Sequence, residues 1–348
     1  MSILYINSIE SDYLQDLTYA GLCEILGKEN ILDFPYHRQY HSGKRFFFSK
    51  REEYPRNLGL SKGDGQGKRS LAEVRKSLER NEYKIVVLAS AKEDALNVFY
   101  QLLDGLRAPW VFIDGGDRPE IGGDFLRVGG EKCFNIFHEV CRIKKPGAIF
   151  KRELYSGEKG GNIFPLQFSV NTSIVPILDP SAEKSFNVVF WAVESSSVRR
   201  EAFRILNGKY DCRANGSVPG QKFKGYGFRG GGYFGALNRS RIALSFRGEG
   251  FDTLRYWEIP ACGSLLVSEN PEICIPDNFQ NKTHAVFCKN DLSDLIEILD
   301  YYISNEKEAL EIARRGQEHL LKHHTHIKRA EYFLDVLDKS LKIRLIKK

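Results

Sequence analysis

The densest chemical signal in the chain is RGEGFDTLRYWEIPACG, residues 247–263, set between two predicted strands. A flexible Gly248-Glu249-Gly250 loop follows Phe246, and Asp252 or Thr253 is placed to cap the next helix. A loop of this kind leaves backbone N–H groups, those of Gly250 and Phe251 among them, at a helix N-terminus. There the helix dipole favours an anion such as a pyrophosphate. Arg255 falls in the first turn and can add a bidentate phosphate contact. Glu258, one turn further, can accept hydrogen bonds from a ribose diol, and Glu249 from sugar hydroxyls. The plain alternative is an ordinary strand–turn–helix with solvated charges. Pro260 predicts that the helix is short or kinked.

Other segments carry weaker signals. After Val193, the run Glu194-Ser195-Ser196-Ser197 with Arg199 and Arg200 joins a predicted strand to a helix. Small residues there let a phosphate approach the backbone, and either arginine can neutralise it; a serine-capped helix with solvated arginines is the alternative. The stretch KFKGYGFRGGGYFG, 222–235, contains a formal Gly-x-Gly-x-x-Gly. No strand precedes it and no acidic residue follows at the right place, so a dinucleotide site is discounted. It reads instead as a closing loop, with Arg229 a candidate anion contact. GDGQGKRS, 63–70, fails the phosphate-loop spacing because Lys62 stands at the first glycine position.

In the first half, Asp114-Gly115-Gly116-Asp117-Arg118 follows a buried strand, at the carboxyl edge where α/β sites form. A carboxylate of Asp114 or Asp117 could act as general base on a hydroxyl, and Asp12, after the first strand, is the other candidate. Turn residues and a helix cap are the alternative for each. His323, His324 and His326 have no nearby acidic or cysteine partner in sequence and read as a solvated helix terminus, so no metal site is expected.

These residues need a frame to position them. Apolar runs at Ile3–Ile6, Ile31–Phe34, 84–90 and Trp110–Asp114 alternate with helical patterns opening at Asp12, Leu71 and Glu93. That alternation argues for a parallel sheet covered on both faces. Prolines 146, 165, 176 and 180 interrupt the pattern, and the interdomain connection is expected near there. A second series follows: a strand from Phe186, a helix over Ser197–Leu206, strands at 242–246 and 265–268, a short helix from Thr253, and three closing helices. Two doubly wound domains are expected, at 1–165 and 166–324, with a closing helix at 325–348 that is free to return to the first.

Composition sets the outer limits. With 348 residues and 42% hydrophobic content the chain can bury two cores. No apolar run is long enough to cross a bilayer. The start shows no basic leader, and seven cysteines without a CxxC pair suit a reducing cytoplasm. A formal charge of +6 suits polyphosphate handling without demanding nucleic acid. The terminal KSLKIRLIKK allows at most weak peripheral membrane contact.

The stretch YFGALNRSRIALSFRGEGFDTLRYWEIPACGSLLVSENPE resembles the C-terminal half of GT-B glycosyltransferases, in particular the spore-maturation-type branch. Its R-x-x-E-x-x-A-C-G core stands here as Arg255, Glu258, Ala261, Cys262 and Gly263, and the helices over 301–334 also resemble that family's closing helices. The resemblance implies two Rossmann-like domains facing across a cleft, the donor nucleotide-sugar bound by the C-terminal domain and the acceptor by the N-terminal one. It implies Glu258 at the ribose, Glu249 at the sugar, Arg255 and the loop amides at the diphosphate, and Ser195, Ser196 and Arg199 as a second clamp. Related retaining enzymes often carry two glutamates separated by seven residues, whereas eight residues lie between Glu249 and Glu258; the pairing favours retention slightly. The expectation is a cytoplasmic, metal-independent hexosyl- or pentosyltransferase, with a nucleotide-diphosphate sugar as co-substrate and no cofactor. Its acceptor is an unidentified small molecule, glycan, protein or DNA. One alternative is a macromolecular acceptor such as DNA or a protein, met by the basic and aromatic residues of 36–56. Another is a nucleotide-sugar-binding protein without catalysis.

Overall fold

The structure, a computed structural model, describes residues 2–41, 67–158, 160–210, 212 and 231–345. The chain divides into two compact units, Met1–Ile174 with His326–Lys348, and Val175–Thr325.

The first unit is built on a six-stranded sheet in the order β2-β1-β3-β4-β5-β6. Its strands are β1 (Ile3–Ile6), β2 (Ile31–Phe34), β3 (Ile85–Leu88), β4 (Trp110–Asp114), β5 (Ala148–Lys151) and β6 (Ile163–Pro165), every neighbouring pair parallel. All residues of the first five are buried, which is why they read as unbroken apolar runs rather than alternating ones. The helices are α1 (Tyr13–Leu26), the single turn α2 (Arg38–His41), α3 (Leu71–Glu79), α4 (Glu93–Leu102) and α5 (Gly123–Ile143). Asp12 caps α1 by accepting from the Gln15 N–H, and Ser70 with Glu73 closes a capping box on α3. The helix α5 is kinked at Gly130, whose φ of 73° only glycine adopts readily.

The second unit carries a four-stranded parallel sheet, order β10-β9-β8-β7. Its strands are β7 (Phe186–Val189), β8 (Ser240–Ser245), β9 (Leu265–Glu269) and β10 (Val286–Cys288). Its helices are α6 (Ser197–Leu206), α7 (Gly231–Asn238), α8 (Leu254–Ala261), α9 (Leu295–Ser304) and α10 (Glu306–His323). Pro260 sits in the last turn of α8, and Gly263 just beyond it takes φ 73°. A Cβ at Gly263 would stand 2.7 Å from Pro180 Cα, so this glycine of the A-C-G core lets the connecting segment pass against the helix end.

The last helix, α11 (His326–Leu341), belongs to the first unit. It packs on α1 where Gly21 leaves room: a Cβ there would meet Ala330 Cβ at 2.8 Å. Phe333 of α11 lies 4.4 Å from the ring of Phe150 on β5.

Three expectations are corrected. The division between units falls at 174/175 rather than 165/166, because Leu166 donates to Lys151 O at 3.0 Å and Val170 O accepts from His326 at 2.8 Å, both inside the first unit. The proline-broken region holds β5 and β6, with Pro165 ending an edge strand where a missing N–H is tolerated. His324 and His326 are buried, at 0% and 1% exposure, not a solvated terminus.

Candidate active-site residues in the two units

In the second unit the segment leaving β8 is held on several sides before it reaches α8. Arg199, from the first turn of α6, donates through Nε to Phe246 O at 3.1 Å. Ser196 donates to Arg247 O at 2.8 Å, and the Arg247 N–H donates to Glu269 Oε1 at 2.6 Å. The turn itself is closed by Gly248 N–H to Gly250 O, 3.1 Å. A Cβ on Gly248 would stand 3.3 Å from both Arg199 Nη2 and Ser195 Oγ, so glycine is what lets the two loops approach. Beyond the turn, the Thr253 and Ser245 hydroxyls are 2.9 Å apart and Trp257 Nε1 donates to Asp252 Oδ1 at 2.8 Å. Thr253 takes the N-cap position of α8.

What remains on this loop is distinctive. Glu249 is exposed, Thr253 and Arg255 are half-buried, and Phe251 and Asp252 are buried. Arg255 Nε is buried without a hydrogen-bond partner among the described residues. A cation in the first turn of a helix, at the positive end of that helix's dipole, is an arrangement that takes an anion. Glu258, expected at a ribose, is buried and accepts from the Tyr233 hydroxyl of α7 at 2.9 Å.

Ser196 and Arg199, expected at a phosphate, are spent on the protein. The Ser196 hydroxyl caps α6 by accepting from the Arg199 N–H at 3.2 Å while it donates to Arg247 O. Arg199 Nη1 donates to Val193 O at 3.1 Å and to Ser195 Oγ at 3.0 Å. They shape the loops rather than present charge. Arg200 pairs with Glu194 at 2.6 Å on the surface. Arg229 lies outside the described residues, as does the rest of 222–230.

In the first unit the chain leaves β1 for β2 on one side and β3 on the other, which makes the β1/β3 crevice a topological switch point. Asp12 spans it: Oδ2 accepts from the Ser90 hydroxyl at 2.6 Å and Oδ1 from the Gln15 N–H at 3.2 Å. Burial pushes the Asp12 carboxyl above its ordinary value, against the pull of these two hydrogen bonds and of the Lys92 and Arg152 charges.

Asp114 does not fit a general base. It is 0% exposed, accepts from the N–H groups of Gly116 and Gly122 at 3.3 and 2.8 Å, and pairs with buried Lys151 at 3.1 Å. Asp117 pairs with Arg152 and lies 3.6 Å from Arg127. The aromatic and basic residues expected to face nucleic acid are mostly outside the described residues. Of the four that are described, His37 and Tyr40 are buried, with the Tyr40 hydroxyl donating to Asp16 at 2.6 Å, while Tyr36 is half-buried and Arg38 exposed. Sequence reasoning missed Ser90, Tyr233 and Glu269. A polar residue closing an apolar strand, as in VVLAS and LLVSE, is the signal that would have found the first and the last. Among the described residues no three His, Cys, Asp or Glu side chains converge on a metal position, and no helix is long and apolar enough to cross a membrane.

Residues 199–335, which contain all of this loop, match a family described as glycosyl transferase-like. No curated protein matches the sequence. Among solved structures the chain is similar to Anabaena Alr3699/HepE in complex with UDP, at 12% identity and TM-score 0.60, covering 97% of this chain and 100% of that one. It is similar to an alpha-glucosyltransferase in complex with UDP and a 13-mer DNA, at 12% identity and TM-score 0.56, covering 97% and 98%. A glycosyltransferase from Rickettsia africae matches at 11% identity and TM-score 0.54, covering 98% of each chain. The fold is therefore that of the GT-B glycosyltransferases.

Proposed function

We propose that the chain is a glycosyltransferase that moves a sugar from a nucleoside diphosphate donor to a hydroxyl acceptor. The observation that carries this reading is Arg255: a half-buried cation whose Nε has no hydrogen-bond partner among the described residues, in the first turn of α8, inside the segment that matches glycosyl transferase-like proteins. The N–H groups at that helix end and the Arg255 guanidinium take the diphosphate. Glu258 with Tyr233 meets the ribose, and exposed Glu249 the sugar hydroxyls. As the bond from the sugar to the diphosphate breaks, its electron pair goes to the phosphate oxygen, where this positive field is already oriented. The first unit supplies the acceptor side. Asp12, oriented by Ser90 and the Gln15 N–H, accepts the hydrogen bond of the acceptor hydroxyl and in the end its proton. No divalent cation is needed in this scheme, and the donor is a hexose or pentose diphosphonucleoside.

Titration calorimetry with UDP, the nucleotide held by Anabaena HepE, and then with the other nucleoside diphosphates, tests the reading. Binding of one diphosphate, equal with magnesium and with a chelator, is expected. Arg255→Ala should weaken it by roughly 10- to 100-fold, the value of a charge-assisted contact of about 1.5–3 kcal/mol. If the folded chain binds none of the diphosphates, the donor site is wrong. Binding without turnover of any sugar donor would leave a nucleotide-sugar-binding protein instead.

A further inference from the structure

Glu269 ends β9 beneath the donor loop, and its side chain is 2% exposed, too deep to meet a ligand. One oxygen accepts the Arg247 N–H at 2.6 Å, and the other stands 3.3 Å from the guanidinium of the same arginine. That guanidinium in turn lies over the ring of Phe251, 4.6 Å from its centre. A single carboxylate thus fixes the backbone where the loop leaves the sheet and, through Arg247, a side chain beyond the turn. Arg199 on Phe246 O and Ser196 on Arg247 O hold the neighbouring carbonyls, while Thr253 and Asp252 are anchored separately. The Gly248–Gly250 turn between these anchors follows wherever Arg247 is put.

We infer that Glu269 is a positioning residue of the donor site: by holding Arg247 it sets the conformation of the 247–253 loop, and with it the affinity for a nucleoside diphosphate, without touching the ligand. The inference rests on the donor reading of this loop.

A purely structural role makes the opposite forecast for stability. Burial raises the Glu269 carboxyl above its ordinary 4.5, against the Arg247 N–H and the Arg247 and Arg199 charges, with Glu272 adding to the rise; Cys288 is the other titratable group that senses it. A carboxyl raised in the folded state contributes stability that is present below its unfolded value and lost as pH rises through the folded one. At neutral pH the ionised side chain therefore costs stability, and Glu269→Gln should melt at the wild-type temperature or above it. A side chain kept only to hold the fold together would lower the melting temperature when changed.

The test uses the full chain and UDP as probe. Three readings are made on wild type and Glu269→Gln: melting temperature, hydrogen exchange of the 247–253 amides without ligand, and UDP affinity between pH about 5 and about 8. Expected for Glu269→Gln are undiminished stability, faster exchange confined to that loop, and roughly tenfold weaker UDP binding at neutral pH. Wild-type affinity should fall more steeply than the variant's as acid protonates Glu269, since the terminal phosphate of UDP titrates alike in both. Arg247→Met removes the guanidinium but keeps the N–H, and should reproduce the looser loop if the Gln variant folds poorly. Unchanged loop exchange together with wild-type affinity in both variants overturns the inference. A loosened loop in a chain whose wild type binds no diphosphate overturns the donor reading, and with it the ligand part of this inference, while the hold on the loop stands.

Discussion

The carboxyl edges of the two sheets use charge in opposite ways. In the first unit nearly every ionised group there is answered by another: Asp114 by Lys151, Asp117 by Arg152 and Arg127. In the second unit the backbone of the loop after β8 is pinned by Arg199, Ser196 and Glu269, and Arg255 keeps a donor with no partner among the described residues. A charge already balanced inside the protein has little left for a ligand. By that criterion Asp12 is the exception in the first unit, since its hydrogen bonds come from a hydroxyl and a backbone N–H, both neutral. Three carboxylates that look alike in sequence thus divide into two that are ion-paired and one, Asp12, that is held by neutral donors and is the base of the proposed reaction.

The sharpest way to break this sorting is Asp12→Asn. General-base assistance is worth roughly 10²- to 10⁴-fold, so turnover should fall by that factor with donor affinity unchanged. Stability should not fall with it. The Asp12 carboxyl is raised by burial, so its ionised form costs the folded state stability as pH rises through the raised value, and the amide removes that cost. An Asn variant that turns over at the wild-type rate would return Asp12 to a plain helix cap.

Lys151→Met probes the other side of the comparison. Both partners of the Lys151–Asp114 pair are 0% exposed. Removing the cation leaves a buried carboxylate unpaired, at a cost of about 3–5 kcal/mol. Urea unfolding should show the loss in the first unit, while UDP binding by the second unit persists at denaturant levels where it is still folded. A loss under about 1 kcal/mol would mean that the two backbone N–H bonds alone satisfy Asp114.

How much of this could be read from residues alone follows from how local each feature is. The bounds of β1, β2 and β4 coincide with apolar runs because parallel strands are buried on both faces. The start and end of α1 are written in Asp12 and Gly27, which cap it. The helix α5 escaped because Gly129 and Gly130 interrupt its apolar period at a real kink, and β6 and β10 because three residues carry no period at all. The donor loop was legible as a motif, since a glycine turn before a helix is a local arrangement. Which charges are consumed was not. The partners of Asp114, Asp117 and Arg247 arrive from other strands and loops, so only the folded sheet shows that the charges of Asp114 and Arg199 are taken up inside the protein.

The smallest expected effect tests the assignment of Asp12 most directly. Ser90 touches Asp12 through one hydroxyl at 2.6 Å and is buried two residues beyond β3, where alanine fits the same space. Losing that bond should slow turnover by roughly fivefold, the equivalent of about 1 kcal/mol. The informative readout is the pH profile. The Ser90 hydrogen bond pulls the Asp12 carboxyl down against the stronger effect of burial, so Ser90→Ala must raise it further. If the ionised form of Asp12 accepts the acceptor proton, the acidic limb of the rate profile moves to higher pH in the variant, and the rate difference shrinks as pH rises. A structural role for Ser90 would lower the rate equally at every pH. A limb that stays in place would assign it to a group other than Asp12, and the first unit would then contain no chemically active member among its three candidate carboxylates.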